Sequence, residues 1–125
     1  MKITLLILLL SLSIHLVGQE KDKKWNVAEP GEPFKEVIIE SDEGTWLNLD
    51  VSPDGTKIVF DMLGDIYIMP STGGNATLLR GGYPFEVQPR FSPDGKQISF
   101  TSDAGGGDNI WIMDVDGNNA LQVTK

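Results

Sequence analysis

Short runs of apolar residues alternate with polar ones along most of this chain, at the period of a strand rather than a helix. Lys57-Ile58-Val59-Phe60 and Asp65-Ile66-Tyr67-Ile68-Met69 form one pair of runs. Gln97-Ile98-Ser99-Phe100 and Asn109-Ile110-Trp111-Ile112-Met113 form another. Each pair is introduced by the same tetrapeptide, Ser52-Pro53-Asp54-Gly55 and then Ser92-Pro93-Asp94-Gly95, 40 residues apart. Pro presets φ for the second position of a type I turn, and it cannot sit mid-strand. Ser and Asp accept from nearby N–H groups, and Gly takes the left-handed position that comes next. Each tetrapeptide therefore predicts a tight link between two antiparallel strands.

The repeat continues past that turn. The second copy carries four extra residues, which fall in the glycine run Gly105-Gly106-Gly107. Thr72-Gly73-Gly74-Asn75-Ala76 then aligns with Asp116-Gly117-Asn118-Asn119-Ala120, a second turn signal. Each copy closes on a further short strand, Leu78-Leu79-Arg80 or Gln122-Val123-Thr124. A four-stranded unit of about 40–45 residues is the size of one β-propeller blade. The expected fold is all-β: two four-stranded antiparallel blades of an incomplete β-propeller, residues 43–82 and 83–125, after a signal peptide. A closed ring takes about 4–8 blades, so the chain reads as the N-terminal part of a longer protein.

The residues before the repeats carry three expectations. Ile3 to Val17 is an apolar stretch behind Lys2, broken only by Thr4, Ser11, Ser13 and His15. It reads as a secretory signal peptide over residues 1–18, cut after Gly18. It is shorter and more interrupted than the roughly 20 apolar residues of a membrane span. Residues 19–42 read as a polar leader in which Trp25 packs on the fold and Phe34 to Glu40 forms one strand. That strand either completes a blade built by the other terminus or caps the first blade. Thr45 to Val51 opens the first blade. Its apolar residues Trp46, Leu47, Leu49 and Val51 do not alternate, as expected of a strand covered on both faces. Tyr67 and Trp111 occupy matching positions and are expected to pack between blades.

Composition narrows the chemistry. The chain has 125 residues, no Cys, one His and a formal net charge of −8. Signal cleavage removes Lys2 and His15, leaving nine basic residues against 18 acidic ones. So acidic a chain is unsuited to nucleic acid or to anionic membrane surfaces. Export with signal cleavage leaves it periplasmic or secreted and off the membrane, with an uncleaved anchor as the alternative, and no Cys follows the apolar run to carry a lipid. Without His or Cys, the mature stretch cannot complete a Ser-His-Asp triad, a Cys–His pair or a His- or Cys-ligated zinc site. Asp114, Asp116 and Asn118 begin like a calcium loop. Asn119 and Lys125 stand where that loop needs Gly and Glu, so an Asp-Gly-Asn turn explains them. Asp103, Asp108 and Asn109 flank the glycine run without metal or phosphate-loop spacing. Asn75-Ala76-Thr77 is a glycosylation triplet inside a turn. No catalytic, cofactor-binding or metal-binding residue is expected in this stretch.

Phe91-Ser92-Pro93-Asp94-Gly95-Lys96, Asn109 to Met113 and Asp116-Gly117-Asn118 resemble the TolB-type propeller repeat, over residues 43–125. Within that type, Asp42 to Trp46, Leu49 to Gly55 and Phe60 to Tyr67 look most like exported bacterial amidohydrolases. So do Gln88 to Gly95, Phe100 to Asp103 and Gly106 to Trp111. That resemblance implies a propeller preceding a metal-dependent TIM-barrel hydrolase. The partner is then a downstream catalytic domain holding a divalent metal, none of whose ligands fall on residues here. Two other contexts stay open. One is a periplasmic protein-interaction propeller of the TolB kind, although residues 19–44 leave no room for the α/β domain that precedes it there. The other is the gating propeller of a prolyl-oligopeptidase-type peptidase. A downstream Gly-x-Ser-x-Gly elbow would mark the peptidase, and a His-x-His strand end the amidohydrolase.

Overall fold

A computed structural model describes residues 26–31, 33–35 and 37–125. The expected signal peptide, His15 and Trp25 lie outside them. Eight strands form two separate four-stranded sheets. The first contains β1 (Leu49–Val51), β2 (Lys57–Met62), β3 (Asp65–Pro70) and β4 (Thr77–Arg80). The second contains β5 (Glu86–Phe91), β6 (Gln97–Ser102), β7 (Asn109–Asp114) and β8 (Leu121–Gln122). Each is an antiparallel meander in chain order.

The two Ser-Pro-Asp-Gly turns are built alike, atom for atom. Gly55 N donates to Ser52 O at 2.8 Å, and Gly95 N to Ser92 O at 2.9 Å. The Ser52 and Ser92 hydroxyls donate to Asp54 and Asp94 at 2.6 and 2.7 Å. The same hydroxyls accept from Lys57 N and Gln97 N, each at 2.9 Å. Gly55 and Gly95 have φ of +72° and +69°, as such a turn demands. The Asp54 carboxyl is lowered to about 2, first by the Ser52 hydroxyl and then by the Thr56 N–H.

The far ends of the sheets differ. β2 and β3 are joined by Leu63 and Gly64 alone, with φ of +58° and +87°. Positive φ at both central residues is the type I′ hairpin, whose twist matches that of the strands. β6 and β7 are joined by residues 103–108, so the four extra residues enter here as expected.

Cross-strand pairs assign the faces. In the first sheet Val59↔Ile68 and Asp61↔Ile66 share one face, and Ile58↔Met69 and Phe60↔Tyr67 the other. In the second, Ile98↔Met113 and Phe100↔Trp111 share a face, and Ser99↔Ile112 and Thr101↔Ile110 the opposite one. The core lies between the sheets. Val59 and Ile66 meet Ile98, Phe100 and Met113, each at most 1% exposed. Trp111 packs against this cluster, as expected of an inter-blade aromatic. Tyr67 stacks on Phe60 of its own sheet, centroids 5.6 Å apart, on the face turned away from the second sheet.

Two expectations about the entry to the first blade are corrected. Among the described residues of 34–40 there is no strand, and Val37, Ile38 and Ile39 are exposed. A strand exists as a ladder with a neighbour, and no strand of either sheet pairs with this segment. The first strand also begins only at Leu49. Trp46 has φ of +63°, which breaks the extended backbone and leaves its ring 98% exposed. Leu49 and Val51 are about half exposed rather than covered on both faces. Besides pairing with β2, β1 packs on β5, and Leu49 also borders a cleft.

Candidate functional site: the inter-blade joint and the open face of the first blade

The two sheets are locked by charged residues as well as by apolar ones. Asp61, mid-strand in β2 and only 3% exposed, points toward the second sheet. Its Oδ1 accepts from Asn48 N at 3.0 Å, and its Oδ2 from Asn48 Nδ2 at 2.9 Å and Gln88 N at 2.7 Å. Gln88 sits at a β-bulge with φ of +58°, and this kink aims its N–H out of the β5–β6 ladder. Asp50 repeats the device on the neighbouring edge strand β1, its Oδ2 accepting from Phe91 N at 2.8 Å. Arg90 Nη1 donates back to Leu49 O at 3.1 Å.

At the hairpin end of the joint, Arg80 of β4 pairs with Glu86 of β5. The Arg80 guanidinium lies 5.7 Å from the Phe100 ring centroid and 5.8 Å from that of Trp111. Glu86 is 1% exposed, and its Oε1 also accepts from Ser102 Oγ at 3.3 Å. Glu86 Oε2 and Trp111 Nε1 are buried without a partner among the described residues. Burial raises the Glu86 carboxyl above its ordinary value, against the opposing pull of Arg80. Sequence reasoning missed Asp61, Arg80 and Glu86. The signal was present: Asp61 stands two residues after Val59, on the same inward face of β2.

Among the described residues, the other side of the first blade is open. A cleft of about 690 Å³ has Ile58, Phe60, Met62, Tyr67 and Met69 as its floor. Residues 39–44 and Leu47 cross its edge, bringing Glu40, Asp42 and Glu43 to the rim. The Tyr67 phenol is raised from its ordinary value, first by burial and then by Asp65.

Of the acidic residues singled out in the sequence, Asp114 and Asp116 serve the second turn, and Asp103 ties the β6–β7 connection to the segment before β5. Asp103 Oδ1 accepts from Phe85 N at 2.8 Å, and Asn109 Nδ2 donates to Gly107 O at 2.9 Å. Asp116 accepts from Asn118 N and Nδ2, each at 3.0 Å, and Asp114 from Asn119 Nδ2 at 2.7 Å. Asp108 and Asn75 are exposed. Among the described residues no three His, Cys, Asp or Glu side chains gather as a metal cluster. No helix among them is long and apolar enough to cross a membrane.

No protein family model matches the chain. A protein of Agrobacterium fabrum, Atu1656, is 36% identical over 77 residues, covering 58% of this chain and 26% of that protein. The Tol-Pal system protein TolB of Bordetella pertussis is 39% identical over 59 residues, covering 46% of this chain and 14% of TolB. Among solved structures, one assigned to a TolB of Agrobacterium tumefaciens superposes with a TM-score of 0.61 at 31% identity. That match covers 66% of this chain and 32% of the other. TolB of Acinetobacter baumannii, at 24% identity and a TM-score of 0.57, shares the fold over 68% of this chain and 23% of its own. The chain thus spans no more than a third of any of these proteins. The class they define together with the two sheets is the β-propeller, of which this chain holds two blades. The particular likeness is to propellers of the TolB type.

Proposed function

We propose that the two blades belong to a propeller that works as a scaffold and protein-interaction module in an exported protein. The observation that carries this reading is the contrast between the joint and the cleft. One face of the first blade is sealed by buried carboxylates and aromatics, while its other face presents an apolar floor to whatever packs there.

The finer reading is that this scaffold precedes a metal-dependent amidohydrolase-like domain. The resemblance of residues 42–67 and 88–111 to exported propeller–amidohydrolase fusions supports it. In that arrangement the blades shield or orient the catalytic domain, and water activated by a divalent metal would attack a C–N or related bond there. A second reading, a TolB-like propeller that binds another protein, is supported by the 39% identity to the Tol-Pal system protein.

The test is to read the coding sequence beyond Lys125 and to assay the whole product for chelator-sensitive amide hydrolysis. The fusion reading expects further repeats, then a barrel domain with a His-x-His strand end. A product made of propeller repeats alone overturns it in favour of the TolB-like reading.

A further inference from the structure

The repeat places equivalent residues on equivalent faces, and this says what belongs in the open cleft. Ile58, Phe60, Tyr67 and Met69 of the first blade match Ile98, Phe100, Trp111 and Met113 of the second. The latter four are covered by the first blade's opposite face, which carries Val59, Asp61 and Ile66. That face also sends Arg80 over the Phe100 and Trp111 rings. In the first blade the matching rings, Phe60 and Tyr67, are stacked in the same way. No guanidinium lies over them among the described residues. The rim beside them carries Glu40, Asp42 and Glu43, a local excess of negative charge.

The geometry points to the first-blade cleft as the docking face for another blade, one that presents an arginine over the Phe60–Tyr67 pair. This rests on the propeller reading above and adds the chemistry of the partner. Three features select the occupant. The floor needs aliphatic residues such as Val59 and Ile66. The ring pair needs a cation, which gains most where water is excluded. The acidic rim takes the same cation, standing in for Glu86, whose equivalent position in the first blade is held by Trp46.

A second copy of this chain is the wrong partner. The second blade's outward face has Ser99 where the first has Val59, and Thr101 where it has Asp61. Thr124 bonds to Ile110 N through its hydroxyl at 2.9 Å, in the place Arg80 holds beside Ile66. The face that would approach therefore lacks an aliphatic residue, a carboxylate and the arginine. The occupant is a different blade of the ring.

The test rebuilds the missing chemistry on the second blade. The full chain is immobilised, and a variant carrying Ser99→Val, Thr101→Asp and Thr124→Arg is passed over it in an interferometer. The variant should bind at least tenfold more tightly than the unmodified chain. That gain should vanish when the immobilised chain carries Phe60→Glu, and should weaken as salt is raised. Equal binding by variant and unmodified chain overturns the inference, and so does a gain that Phe60→Glu leaves intact. If circular dichroism shows the triple variant to have lost its sheets, Thr124→Arg alone is compared in the same way. It keeps every buried residue and should retain a severalfold gain; no gain there overturns the inference. Binding between these two blades is independent of any sequence beyond Lys125, so the inference can fail while the fusion reading stands, and the reverse.

Discussion

Replacing Asp61 by alanine removes the one carboxylate that holds the entry of the first blade and the bulge of the second at the same time. Three donors lose their acceptor: Asn48 N, Asn48 Nδ2 and Gln88 N. A hydrogen bond to a charged acceptor contributes about 1.5–3 kcal/mol, and a donor orphaned in the interior costs about 1–3 kcal/mol. Asn48 and Gln88 both reach solvent in part, so water recovers some of this for each donor. About 1 kcal/mol for each of the three is the appropriate scale. Relief from burying a charge works in the other direction. The net expectation is a loss of about 2–4 kcal/mol. Thr101→Ala, at the same position of the second blade, makes a control expected to cost less than about 1 kcal/mol. Urea titration followed by tryptophan fluorescence reads both, because Trp111 packs on the joint. Asp61→Asn should fall between them, as its amide turns a donor toward donors. A loss below about 1 kcal/mol for Asp61→Ala would refute the claim that this carboxylate locks the blades.

Further outcomes are expected. Gly55→Ala should cost about 1 kcal/mol in the same titration, entirely through its φ of +72°, since an added Cβ meets no atom within 4 Å. Stability should fall as pH rises above about 4.5 through the raised Glu86 value: the folded state favours the protonated carboxyl, so this contribution is complete below the unfolded value and is lost above it. Glu86→Gln should flatten that part of the melting-temperature profile, and an unchanged slope would count against the assignment. The Asp54 carboxyl, lowered to about 2, has the opposite sign: its contribution is present above its ordinary value of 3.8 and is lost as pH falls toward 2, a loss that Asp54→Asn should abolish. Fractionation of the native host, with N-terminal sequencing of the exported chain, should find Gln19 as the first residue; a retained Met1 would refute cleavage.

The strands and their connections were legible because local chemistry decides them. Pro53 and Pro93 have no N–H to give a ladder, Gly55 and Gly95 take a backbone angle that other residues resist, and the extra residues of the second copy sit among glycines. The joint was not legible in the same way. Asp61 and Glu86 look like ordinary solvated carboxylates until the pairing of one sheet face with another is known. That pairing is a property of two blades together, not of either repeat. The strand expected at Phe34 to Glu40 failed for the related reason that its apolar residues state a preference, whereas the ladder requires an edge beside them. Trp46 shows the limit of composition: a large aromatic invites burial, but a positive φ at that position turns the ring to solvent.

The unequal hairpins at one end of the sheets bear on how a ring of such blades would be approached. Leu63 and Gly64 alone join β2 to β3, whereas residues 103–108 join β6 to β7 and are tied to the segment before β5 by the Phe85 N–Asp103 bond. In a closed ring, two neighbouring blades would set a short connection beside a longer one at that end, and the glycine stretch could be lengthened or trimmed without disturbing the joint.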